Sequence, residues 1–262
     1  MAQVALTIAG SDSGGGAGIQ ADLLTFASFG LLGTCAITAV TAQNPDAVAA
    51  VEPISTANIR QQIEQIDAYF KIDAVKTGLL PNAATIKTVA QWLDNKAKSF
   101  PLVVDPVVTA TSGAIFLDEL TVEALKQYLL PKASLITPNL DEVKILLGEH
   151  PKNVHMMKQS ALQLTATYGC ATLVKGGHLP GDKLIDILYE PDGSLTHLEA
   201  QRISPLNTHG SGCTLASAIA AGLGKGLNLQ EAFRQAHHYL QKLMSRPVLL
   251  GKEYGFALKM MQ

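Results

Sequence analysis

Residues 4–12 read VALTIAGSD, an apolar run that stops at Gly10-Ser11-Asp12. The same pattern returns along the chain. Apolar runs at residues 34–40, 74–75, 102–104, 135–136 and 172–174 give way to Gln43-Asn44, Lys76-Thr77-Gly78, Asp105-Pro106, Thr137-Pro138-Asn139 and Lys175-Gly176-Gly177-His178. Short apolar runs bounded by turn residues read as buried strands. Between them, Ile59, Ile63, Ile66 and Phe70 recur at helical spacing, as do Ile86, Val89, Ala90 and Leu93, so each set marks a helix with one buried face. Strands alternating with helices predict right-handed crossovers and a largely parallel sheet. Around Glu190-Pro191-Asp192-Gly193 the runs ILY and LTHLE flank a turn and predict a hairpin on that sheet. The expectation is α/β: a three-layer αβα sandwich with a mostly parallel sheet and a small antiparallel hairpin, one domain over residues 1–262.

In an open parallel sheet the strand C-termini share one edge, and ligands bind in the crevice there. The polar residues after the strands therefore converge. Strand ends always need turn residues, but Gly, Asn and Ser satisfy turns without Lys76, Asp105 and Lys175 following apolar runs.

Composition narrows the class. The 262 residues are 47% hydrophobic, 16% charged and 5% aromatic, which suits an aliphatic sheet buried on both faces. A net charge of -2 and a pI near 6.4 leave no electrostatic footprint for nucleic acid or an anionic membrane, so neither partner is expected. Three cysteines without C-x-x-C spacing argue against a disulfide framework or a structural zinc site and fit a reducing cytoplasm. The N-terminus has no basic leader and its apolar run is too short to span a bilayer, so a soluble, unprocessed protein is expected.

Two glycine-rich segments lack the common nucleotide fingerprints. In GSDSGGGAGIQAD, Ile19 stands where the third glycine of G-x-G-x-x-G would fall, and neither Gly-Lys pair is followed by Ser or Thr as a P-loop requires. The segment Thr208-His209-Gly210-Ser211-Gly212-Cys213-Thr214 offers another phosphate holder. Its glycines allow consecutive amides to line one concavity, and the helix starting near Cys213 adds its positive end. The plainer alternative is relief of crowding at a loop-to-helix junction. Cys213 at a helix start is expected to have a lowered pKa and to accept a proton near neutrality; its plainer reading is a small apolar side chain. Together they suggest a hydroxyl attacking a phosphoryl group. Asp105 and Glu142 are carboxylates suited to Mg²⁺, against the alternative of a turn Asp and a helix-first-turn acid. Lys175 could meet phosphate or simply snorkel from a strand end. His178 and His209 stay open, and His237-His238 reads as helix surface.

The segments GSDSGGGAGIQADLLTF, ITAVTAQN, VKTGLL, VVDPVVTATSG, TPNLDE, LVKGGH and NTHGSGCTLASAIAAG together resemble the hydroxymethylpyrimidine/phosphomethylpyrimidine kinase family of thiamin synthesis, a branch of the ribokinase-like superfamily. They run in order from residue 5 to residue 222. The resemblance implies ATP with Mg²⁺ and two successive phosphorylations of 4-amino-5-hydroxymethyl-2-methylpyrimidine. It implies Gln43 as the pyrimidine-binding glutamine, with Gly10, Asp12, Ala17, Asp22 and Leu80 around it, and Asn139, Lys175 and Thr208 toward ATP. Cys213 would be the base beside the Gly210, Ser211 and Gly212 loop, Asp105 and Glu142 would hold the metal, and the protein would be a homodimer. Ser13-Gly14 replaces the family's usual Pro-Ser, Leu24 its usual Lys, and Val108-Thr109 its frequent Met-Val. Ala110 stands where cysteine-type pyridoxal kinases have Cys, which favours the pyrimidine. Pyridoxal kinase and a non-catalytic ligand-binding protein on this fold are the alternatives.

Overall fold

The computed structural model describes residues 2–96, 99–108, 116–177, 179–203 and 207–255. The expected strands form, β5 and β6 on their apolar runs and the other four longer than theirs: β1 (Val4–Asp12), β2 (Leu32–Gln43), β4 (Ala74–Thr77), β5 (Leu102–Val104), β6 (Leu135–Ile136) and β7 (Ala171–Val174). They pair in parallel in the order β2-β1-β4-β5-β6-β7. The expected hairpin, β8 (Lys183–Tyr189) and β9 (Leu195–Gln201), extends the sheet antiparallel beyond β7. A further strand, β3 (Val48–Pro53), pairs antiparallel with β2 and completes a nine-stranded sheet. A separate two-stranded ribbon joins β10 (Val248–Leu250) and β11 (Glu253–Gly255).

Helices cover both faces. On one lie α2 (Thr56–Tyr69), α3 (Ala83–Asp94), α4 (Glu119–Ala124) with a π turn and a 3-10 turn behind it, α5 (Leu140–Leu147) and α6 (Val154–Tyr168). On the other lie α1 (Gly18–Ser28), α7 (Ser211–Gly224) and α8 (Leu229–Met244). Strand residues divide between the faces with period two. Leu102 and Val104 join the first core while Val103 joins the second, and Ile136 and Leu135 separate likewise. Ile59 and Ile63 of α2 and all four apolar positions read in α3 are buried. Among the described residues no helix is long and apolar enough to cross a membrane.

The strand order reverses at β1: the chain runs outward to β2 and β3, then returns to β4 on the other side of β1. That reversal opens a crevice at the C-terminal strand edge.

Candidate active site

A cavity of about 820 Å³ opens at this edge, and thirteen of the fifteen residues expected at the site line it. Gln43, at the end of β2, is at one end with Gly10, Asp12 and Ala17; Asp105, Asn139, Glu142 and Lys175 approach from the ends of β5, β6 and β7; Thr208 and Gly210 to Cys213 come in from the loop before α7. Asp22 and Leu80 do not line it, which corrects their expected place. Leu80 is buried in the core with α2 and α3, and its neighbour Leu79 faces the cavity instead. Asp22 is fully buried on the inner face of α1.

The loop after β1 is organised by one carboxylate. Asp12 accepts the backbone N–H groups of Gly14, Gly16 and Ala17 and bonds His209 Nε2 at 2.8 Å. Burial alone would raise it, but the His209 bond and the backbone donors overcome that and take it down to about 2. His209 belongs to the other glycine-rich loop, so Asp12 ties the two together. They are in contact: a Cβ on Gly210 would lie 1.8 Å from the Gly16 carbonyl oxygen. Gly210 also has φ +85, so no other residue fits there without strain. Ser13 donates to the Gln43 carbonyl and accepts its N–H, both at 2.8 Å, which fixes the end of β2 against the same loop.

Helix α7 starts at Ser211, two residues earlier than expected, with Gly210 as its N-cap. The Ser211 N–H donates to the Thr208 carbonyl, so the turn itself uses one of the amides expected to face an anion. The amides of Gly212 and Cys213 belong to the first helical turn, where no intrahelical acceptor exists. Lys175 is beside them: a Cβ on Gly212 would be 3.2 Å from its Nζ.

Lys175 bonds Asp105 at 2.9 Å and stands 4.0 Å from Glu142. Asp105 also accepts from Thr137, and, although burial raises it, Lys175 and Lys76 hold it below its ordinary value. Glu142 closes a capping box with Asn139 at the start of α5, so the plainer reading of a helix-first-turn acid is true of it. It faces the cavity as well. Burial, with Asp105 adding to it against the pull of Lys175, pushes Glu142 up to about 7.

The Cys213 thiol departs from expectation. Instead of lying low at a helix start, it is pushed up to about 11. Burial is the main cause; Lys76 pulls it down, Asp22 and Asp105 push it up, and the Gly18 backbone N–H pulls it down. The field of one helix turn loses to loss of water. His237, expected at the surface, lines the cavity with Leu240, Gln241 and Met244. Those residues recur at i, i+3, i+4 and i+7 of α8, a periodicity that could have revealed the face. Leu206, His178, Thr109 and Ala110 lie outside the described residues.

An αβα sandwich whose sheet edge brings together a glycine-capped helix start, a lysine, two acids and a thiol is the arrangement of a ribokinase-like small-molecule kinase. The family model described as phosphomethylpyrimidine kinase matches residues 12–257. The chain belongs to that family. A hydroxymethylpyrimidine/phosphomethylpyrimidine kinase of Rhizobium meliloti is 44% identical over 246 residues, covering 94% of this chain and 91% of the relative. The protein so named in Bacillus subtilis is 41% identical over 253 residues, 96% of this chain and 92% of its own. Among solved structures, a phosphomethylpyrimidine kinase from Clostridium difficile superimposes with a TM-score of 0.80 at 37% identity, covering 92% of this chain and 98% of that one. A pyridoxal kinase from Staphylococcus aureus, in complex with pyridoxal, gives 0.89 at 30% identity, covering 98% and 94%.

Proposed function

We propose that this protein transfers the γ-phosphoryl group of ATP to the hydroxymethyl oxygen of 4-amino-5-hydroxymethyl-2-methylpyrimidine, and a second one to the monophosphate so formed, in thiamin synthesis. The observation that carries the reading is the meeting of both glycine-rich loops at Cys213, in one cavity that also holds Lys175, Asp105 and Glu142. Gln43, with its backbone fixed by Ser13, faces the pyrimidine. The substrate oxygen attacks phosphorus as the bond to the bridging oxygen of ATP breaks and ADP leaves; the hydroxyl proton passes to Cys213 Sγ and then to water. A loose transition state delays that proton transfer, so a thiolate present in small amount suffices. The first-turn amides of α7 and Lys175 receive the charge on the moving group. Asn139 and Thr208, which line the same cavity, are assigned to the nucleotide by the resemblance.

Mg²⁺ is implied by the family, and the donor set fits it. Asp105 and Glu142 are each 2% exposed and both face the Lys175 ammonium, Asp105 at 2.9 Å and Glu142 at 4.0 Å, while burial and Asp105 push Glu142 up to about 7. No group of three or more His, Cys, Asp or Glu able to hold a metal occurs among the described residues. Two carboxylates with phosphate and water ligands are the usual surroundings of Mg²⁺, which would neutralise phosphate charge when bound. By the same resemblance we place the protein in the cytoplasm as a homodimer.

Likeness to pyridoxal kinases supports a second reading, phosphorylation of pyridoxal. Mass spectrometry of products with Mg·ATP decides between them. The expected products from the pyrimidine carry one and then two phosphates; phosphorylation of pyridoxal alone would overturn the assignment.

A further inference from the structure

Lys76 is fully buried on β4, yet it reaches the cavity wall. Its Nζ bonds both Asp22 carboxylate oxygens, at 2.8 and 2.9 Å, and neither side chain is exposed. Thr7 donates to Asp22 at 2.6 Å from β1, and Ser217 donates to it at 2.7 Å from α7. Ser217 is four residues after Cys213, one turn along the same helix face. A sealed ion pair offers little net stability over an apolar pair of the same volume. This one is braced by four elements, α7 among them one turn beyond Cys213.

We propose that Lys76 is a positioning residue for phosphoryl transfer: the fixed cation beside which the Cys213 thiolate forms, held in place by Asp22, Ser217 and Thr7. The proposal rests on the reading of Cys213 as proton acceptor and extends it to a residue that touches no substrate. Gly78 leaves the space the ammonium needs, since a Cβ there would be 2.9 Å from Nζ. Of the charged groups around the thiol, Lys76 comes from β4, Asp22 from α1, Asp105 from the end of β5 and Lys175 from the end of β7; Asp12 and His237 reach the same cavity from β1 and α8. Lys76 is the cation with the largest influence on the thiol, and the two carboxylates oppose it.

The two members of the pair carry opposite charge and therefore act on the thiol with opposite sign, whereas loss of packing alone would move both variants the same way. Iodoacetamide labelling of Cys213 in the 262-residue protein, resolved by peptide mass spectrometry, reads the thiolate without turnover. At pH 8, Lys76→Met should slow labelling about tenfold, one unit of thiol pKa, while Asp22→Asn should speed it several-fold. Equal rates, or shifts of the same sign, would overturn the proposal. Should a lone buried charge prevent folding of either variant, the Lys76→Met/Asp22→Asn double variant keeps both volumes and no charge. Its labelling should be slower than native, and a rate at or above native would count against Lys76. Failure of the base reading shows separately: Cys213→Ala would then phosphorylate the pyrimidine at the native rate, whatever the labelling shifts.

Discussion

Asp12 and Glu142 are both carboxylates at the cavity edge, 1% and 2% exposed, yet one is held at about 2 and the other at about 7. Burial raises both, and further at Glu142, where Asp105 adds to it; their donors widen the difference. Asp12 is met by three backbone N–H groups and by His209. Glu142 receives the Asn139 N–H at 2.7 Å, faces Asp105, and is left the longer side of a shared lysine, 4.0 Å against 2.9 Å. The first carboxylate is fully satisfied and serves as an anchor joining two loops. The second is left short of positive charge, which fits the role beside Mg²⁺ proposed for it.

The contrast can be broken from the anchor first. Asp12→Asn turns an acceptor into a donor facing the Gly16 and Ala17 amides. Leaving buried donors unpaired should cost about 3 kcal/mol, or a drop in Tm of roughly 10 °C for a chain of this size. The pH dependence has a definite sign. A carboxyl held at about 2 adds stability above its ordinary value of 3.8 and loses it as pH falls toward 2. Urea midpoints of native and variant protein should therefore converge between pH 4 and pH 2; a constant gap would mean that the Asp12 charge is not what anchors the loops.

A smaller effect of opposite sign is expected at the second carboxylate. With its pKa raised from 4.5 to about 7, Glu142 favours the folded state while protonated, and that advantage is lost as pH rises through 7. Glu142→Gln keeps the capping box and stays neutral. Without nucleotide it should melt a few degrees above native at pH 8 and level with it at pH 5; a lower melting temperature at pH 8 would mean that Glu142 is already compensated.

Much of this was legible in the sequence because apolar period and strand-end chemistry are local. Six parallel strands, two helix faces and the hairpin follow from runs of a few residues each. β3 was missed because it is an edge strand, half-exposed or exposed throughout, with no alternation to detect. The Asp22–Lys76 pair spans 54 residues of chain, so Asp22 read as a pocket residue when it is a sealed partner. Leu80 missed by one position because the chain leaves β4 without regular structure there. The Cys213 thiol was misjudged because a helix start is visible in sequence and the loss of water in the crevice it lines is not.

The central claim is that Cys213 removes the proton from the substrate alcohol. The two phosphorylations differ on this point, since a phosphate oxygen with its second pKa near 6 is already ionised at pH 8 and needs no base. Single-turnover rates of both steps in Cys213→Ala test it most directly. The account predicts the first phosphorylation slowed by ~10²-fold or more and the second left within a few-fold of native; equal slowing of both steps, or of neither, would contradict it.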